Sequence, residues 1–221
     1  MTQQRSPLKL ESEAQSFRGA QPRHGPVGTS IARRSTGLIP PTTHIRAEPR
    51  IPCRGPDLLA PILLNVRHIS LQTYDSLIEA LPDLNANLAL ISRDAALETA
   101  SARDLGRVSD LFGVLDDLAL PGVQLTTLSK ILHRKRPRMI PLYDEHIRRC
   151  YQELGDPPVP GEKGRSWGGF ADLWLPAVQN DLATQLSSWQ EIAALAPGPA
   201  ITPLRALDIV GWFRGRPVTS G

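Results

Sequence analysis

Residues 120–151 read Leu120-Pro121-Gly122-Val123-Gln124-Leu125-Thr126-Thr127-Leu128-Ser129-Lys130-Ile131-Leu132-His133-Arg134-Lys135-Arg136-Pro137-Arg138-Met139-Ile140-Pro141-Leu142-Tyr143-Asp144-Glu145-His146-Ile147-Arg148-Arg149-Cys150-Tyr151. The first four residues predict a tight turn. Leu125, Leu128 and Leu132 then share one face of a helix, with Thr126, Lys130 and His133 on the other side and Thr127 and Arg134 beside them. The basic run 133–138 closes that helix. Two readings of the run stand: cations favoured by the helix dipole at a C-terminus, or a patch that contacts phosphates. Pro141-Leu142-Tyr143 leads to Asp144, which stands where a helix N-cap would. Ile147, Cys150, Tyr151 and Leu154 follow at i, i+3, i+4 and i+7, and Gly155 marks the helix end. Cys150 falls on that apolar stripe and reads as an inert core thiol.

The helical period continues outward from this stretch. Pro56-Asp57 opens an apolar stretch over 58–66. Ser70 is placed to cap a helix carrying Leu71, Tyr74, Leu77, Ile78 and Leu81. Further helices are predicted over 85–100 and 102–118. Trp167, Phe170, Trp174 and Val178 make one stripe, which Pro176 is expected to bend. Leu182, Leu186, Trp189 and Ala193 make another. Thr202-Pro203 starts a last helix through Leu204, Leu207 and Val210 towards Trp212. Loops are expected over 155–164 and 197–203. No stretch alternates as a strand would, so the reading is an all-α, multi-helix globular domain. The four tryptophans read as core anchors rather than base-stacking platforms, since three lie on apolar stripes.

Charge is unevenly spread. The chain of 221 residues has a net charge of +3. Residues 1–55 hold nine basic and three acidic side chains, a balance of +6, which leaves −3 for the rest. That first segment is rich in Pro, Gly, Ser and Arg and has little apolar periodicity. It is expected to be a disordered basic tail, ahead of a domain over 56–216. Either it touches nucleic acid or it is a solvated extension. Two cysteines, Cys53 and Cys150, are too few for a disulfide framework, a four-cysteine zinc site or an iron–sulfur cluster. The histidines lack metal-site spacing, and there is no dinucleotide turn, P-loop or nucleophile elbow. No metal and no cofactor is expected. The polar N-terminus lacks a signal-peptide core and no apolar run reaches the roughly 18 residues of a membrane span, so a cytoplasmic location away from membranes is expected.

The order of turn, helix, proline-containing link and Asp-x-His-Ile-x-Arg resembles the helix-hairpin-helix DNA glycosylase superfamily. The similarity covers about thirty residues. It implies a glycosylase-like fold in which the turn residues Gly122, Val123 and Gln124, with Lys130 and Arg134, hold DNA phosphates. It also implies that Asp144 is catalytic: a base is flipped out, and the ionised carboxylate stabilises an oxocarbenium-like sugar and orients a water. The chain departs from that pattern in three ways. Gln124 replaces the second glycine of the hairpin. Thr126 stands where lyase-type members carry the Schiff-base lysine, and a threonine cannot form an imine. The cysteine cluster of some members is absent. A second similarity, over roughly 56–216, is to an uncharacterised bacterial domain-of-unknown-function family. It rests on 130–138, on Pro141-Leu142-Tyr143-Asp144 and on Leu204-Arg205-Ala206-Leu207-Asp208-Ile209-Val210-Gly211-Trp212. DNA is therefore the partner implied, with monofunctional base removal at Asp144. The alternative is a non-catalytic helical binding or structural protein in which Asp144 is only a cap. Protein partners are not legible in the sequence.

Overall fold

Eight helices carry the computed structural model, which describes residues 52–63, 69–118 and 120–217. They are α1 (Ala60–Leu63), α2 (Leu71–Leu88), α3 (Ala102–Asp117), α4 (Leu125–Lys135), α5 (Glu145–Gln152), α6 (Trp167–Thr184), α7 (Leu186–Ala194) and α8 (Pro203–Arg214). Short 3-10 turns stand at Gly55–Leu59 and Leu97–Thr99. No strand occurs among the described residues, as the helical periodicity predicts. No helix among them is long and apolar enough to cross a membrane. The expected tail 1–55 lies outside the described residues except for 52–55. Within that remnant Cys53 is buried, and Asn85 clasps it: Cys53 N donates to Asn85 Oδ1 at 2.6 Å and Asn85 Nδ2 donates to Cys53 O at 3.1 Å.

Most helix starts follow from a local side chain. Ser70 accepts Thr73 N at 3.1 Å and begins α2. Ser101 and Asp104 form a reciprocal capping box on α3. Ser166 and Thr202 accept Gly169 N and Arg205 N, each at 3.0 Å, to begin α6 and α8. Asp116, at the end of α3, also accepts Trp167 N at 2.8 Å and Gly168 N at 2.9 Å, so one helix helps to cap another. Where α3 and α6 cross, Gly113 and Gly168 permit close approach: a Cβ on Gly168 would lie 3.5 Å from the Gly113 Cα. Trp174, Trp189, Tyr151 and Phe112 are the largest side chains fully enclosed in the core. Trp167 and Trp212 are only half-buried.

The expected helix over 85–100 does not form. Instead α2 runs through Pro82 to Leu88, and 89–96 is irregular. The reason is tertiary. The buried Arg136 donates from Nη2 to Leu88 O at 3.1 Å and from Nε to Ile91 O at 2.9 Å, taking the carbonyls at the end of α2. Leu97 N then donates to Arg138 O at 2.9 Å, which ties the segment after α2 to the 136–138 link. Pro176 does not interrupt α6, which is continuous to Thr184.

Candidate functional site

Asp144 lies at the head of α5 in extended conformation, and its Oδ1 accepts both His146 N and Ile147 N at 3.0 Å. Its capping role is thus met by one oxygen. The other, Oδ2, has no hydrogen-bond partner among the described residues. Three contacts from two helices hold the link that delivers it. His133 Nδ1 pairs with Ile140 O at 2.7 Å, and Tyr143 N donates to Ser129 Oγ at 3.1 Å, both on α4. From α8, both carboxyl oxygens of Asp208 lie 3.3 Å from Leu142 N. The α8 backbone also presses on α5. A Cβ on Gly211 would meet Ile147 Cδ1 at 3.1 Å, and one on Gly215 would collide with the His146 carbonyl.

The electrostatics tie Lys130, Asp144, Arg205 and Asp208 together. Burial pushes the Lys130 ammonium below its ordinary range; the Asp144 carboxylate opposes this and the Arg205 guanidinium adds to it. Burial raises the Asp208 carboxyl well above the usual carboxylate range, against Arg205 and the Leu142 amide and with Asp144 adding to the rise. Burial also lowers His133, opposed by the Ile140 carbonyl and assisted by Arg205. The neighbouring Tyr143 phenol is pushed up to about 12 by burial. Its ring stands edge-on to Phe170, Trp174 and Trp167 at centroid distances of 5.2, 5.4 and 6.2 Å.

The turn residues are placed differently from one another. Gly122 has φ +73°, and a Cβ there would meet Thr73 Oγ1 of α2 at 2.5 Å, so glycine is required both for conformation and for space. Val123 is buried and donates its amide to Leu120 O at 3.2 Å. Gln124 is exposed at the N-cap of α4 and its side chain makes no capping bond. The amides of Gln124, Leu125 and Thr126 consequently have no acceptor among the described residues.

The basic run separates. Lys130 is 7% exposed, although it lies across the helix from the Leu125, Leu128 and Leu132 stripe. Lys135 pairs with Asp57 at 2.6 Å, Arg136 takes the α2 carbonyls, and Arg138 lies 3.7 Å from Glu98. Arg134 stays exposed and makes no hydrogen bond or ion pair among the described residues. The run is therefore mainly a set of ties between elements. Of the site residues expected from the sequence, Lys130 and Asp144 share one electrostatic environment.

Arg205, Asp208 and His133 join that site without having been singled out for it. A signal existed for Asp208, an acid beside Leu204 and Leu207 on an apolar stripe, where an unpaired charge is costly. Among the described residues no His, Cys, Asp and Glu group could hold a metal ion. Both thiols are buried, and burial raises that of Cys53 to about 11, far from reactive. No curated protein matches the chain, and no solved structure matches it. Residues 45–215, most of the chain and all of the site, match a family of unknown function, DUF6308, and the chain belongs to that family.

Proposed function

We propose that this protein binds DNA through a helix-hairpin-helix-like element made by α3, the Gly122 turn and α4, with Asp144 as a candidate for monofunctional base removal. The observation that carries the reading is the uncapped start of α4. Five other helices (α2, α3, α5, α6 and α8) have a side-chain cap, whereas the amides of the exposed Gln124 and the half-buried Thr126 have no acceptor among the described residues; the Leu125 amide, also without one, belongs to a buried residue. Such donors at a positive helix end suit a phosphate oxygen. Arg134, at the other end of α4, can add a second phosphate contact. Lys130 is too enclosed for an outward phosphate contact, and its role in this reading is to set a positive charge in the electrostatic surroundings of Asp144.

The chemistry asked of Asp144 is electrostatic. An ionised carboxylate with one oxygen uncommitted can face a positively charged sugar and orient a water. An open groove lined by Asp110, Asp116, Asp117 and Asp172 is the wrong place for a phosphate backbone, because like charges repel. The test is duplex binding by fluorescence anisotropy across a salt series, with base release measured on damaged duplexes. Affinity should fall linearly in log salt, and Arg134→Ala should reduce the slope by about 0.9, one phosphate. Asp144→Asn should leave binding intact and remove most base release. Absence of binding to duplex and single strand alike at low salt would end the DNA reading. Binding without base release would leave the second reading, a non-catalytic module with Asp144 as a cap.

A further inference from the structure

The C-terminal end of α8 carries aromatic side chains that the core does not use. Phe213 is 53% exposed and Trp212 half-buried, with their ring centroids 5.2 Å apart and nearly perpendicular. The Arg216 guanidinium lies 5.0 Å from the Trp212 ring centre and 5.9 Å from that of Phe213. Arg214 and Arg216 are exposed and form no ion pair among the described residues, and the only acid of α8, Asp208, is buried. Nearby Arg149 is committed to Glu153 at 3.2 Å and to Gly215 O at 2.8 Å. The exposed charge at this helix end is thus positive, and it is interleaved with rings.

The helix end that carries the rings is packed closely. Gly211 and Gly215 flank them and set α8 against the first turn of α5. On its inner side Trp212 meets the His146 ring edge-on at 5.1 Å, and His146 N is one of the two amides on Asp144 Oδ1. The Nδ1 atom of His146 is buried without a hydrogen-bond partner. An exposed aromatic ring with arginines beside it, on a helix end packed against the helix that Asp144 caps, suits a flat ring attached to a phosphate chain.

Resting on the DNA-binding reading above, we propose that the exposed Phe213 ring, backed by Trp212 at nearly a right angle, forms a stacking platform for one unstacked base of a bound DNA strand, with Arg214 and Arg216 taking the flanking phosphates. Stacking on an aromatic face needs no particular base, so the platform recognises the exposed base rather than its sequence. It also specifies the form of DNA preferred: a strand with a free base, over a fully paired duplex.

The test uses the full chain and fluorescein-labelled oligonucleotides of one length: a single strand, its duplex, and a single strand of abasic tetrahydrofuran units. Wild type should bind the base-containing strand more tightly than the abasic one. Phe213→Ala should weaken single-strand binding roughly 5- to 150-fold, the range of one stacked base, and should abolish the preference over the abasic strand. Phe213→Tyr should restore both. Arg216→Ala should reduce the single-strand salt slope by about 0.7. Since Phe213 is exposed, unchanged melting of Phe213→Ala is the folding control. Equal binding of the base-containing and abasic strands by wild type would overturn the platform and leave a phosphate patch. So would a Phe213→Ala protein that binds the single strand as wild type does. Either result, with duplex binding intact, removes this inference alone, whereas failure to bind any of the three probes removes it together with the DNA reading.

Discussion

Asp144 is a cap by geometry, and the division of labour between its two oxygens separates capping from anything else it does. Asp144→Asn keeps an oxygen for the His146 and Ile147 amides, so its melting temperature should stay near wild type. Asp144→Ala removes the acceptor and should cost about 0.5–2 kcal/mol in urea unfolding. Equal losses in the two variants would show that the negative charge, not the hydrogen bonds, holds the helix start. Asp208 gives a second test, through pH. Its folded carboxyl holds its proton well above the ordinary value of 3.8, mainly because it is buried. The folded state therefore retains a proton that the unfolded state releases. The stability this contributes is complete below about pH 4 and declines as pH rises through the folded value. His133 works in the opposite sense. Burial depresses it below 6.5, so stability declines as pH falls through that region. The difference between Asp208→Asn and wild type isolates the aspartate: the variant should gain relative stability steadily as pH rises from 4. A pH-independent difference would mean that Asp208 is ionised in the fold.

At the scale of elements, the 133–138 run shows how one charged stretch serves several helices. Arg136 and Arg134 are two residues apart and make a controlled pair. Arg136→Ala leaves Leu88 O and Ile91 O without their charged donor, in a buried setting, and should cost about 1.5–3 kcal/mol. Arg134→Ala removes an exposed side chain and should change stability by less than about 0.5 kcal/mol. Chemical denaturation of both variants checks this, and similar losses would place Arg134 in the fold after all. The Gly122 turn is set at the same scale. It needs the left-handed backbone for its bend, and it needs space because Thr73 of α2 packs against it. Gly122→Ala should lose at least about 1–2 kcal/mol to the backbone conformation alone. A Thr73→Ala background should recover only the steric part of any larger loss.

At the scale of the whole molecule, α8 is the element that completes the site. It supplies Asp208 and Arg205 to the cluster and lays Gly211 and Gly215 against α5. Gly215→Ala should therefore destabilise by about 1–3 kcal/mol, the usual cost of overpacking, although alanine is the better residue in a helical conformation. A neutral or stabilising result in thermal unfolding would show that α8 can shift away from α5. Much of this architecture was legible beforehand. Periodicity predicts seven of the eight helices at least in part, the starts at Ser70 and Thr202 follow from capping chemistry, and the cap at Asp144 follows from its place before an apolar stripe. These are local matters, decided by dihedral preference and by hydrogen bonds between residues two to four apart. What only the tertiary structure decided is where the long side chains go. Lys130 reads as a phosphate contact opposite the apolar stripe and is buried in the electrostatic surroundings of Asp144; Arg136 reads as part of a basic patch and takes carbonyls at and beyond the end of α2; the region 85–100 reads as one helix, and beyond Leu88 it is drawn out of helix by carbonyl and amide bonds with 136–138. Trp212 reads as another core anchor and lies half-exposed at a helix end. A local pattern marks which residue faces which side of its own helix, but the partner that satisfies a buried charge or a free carbonyl lies some fifty residues away, and no period in the chain encodes that meeting.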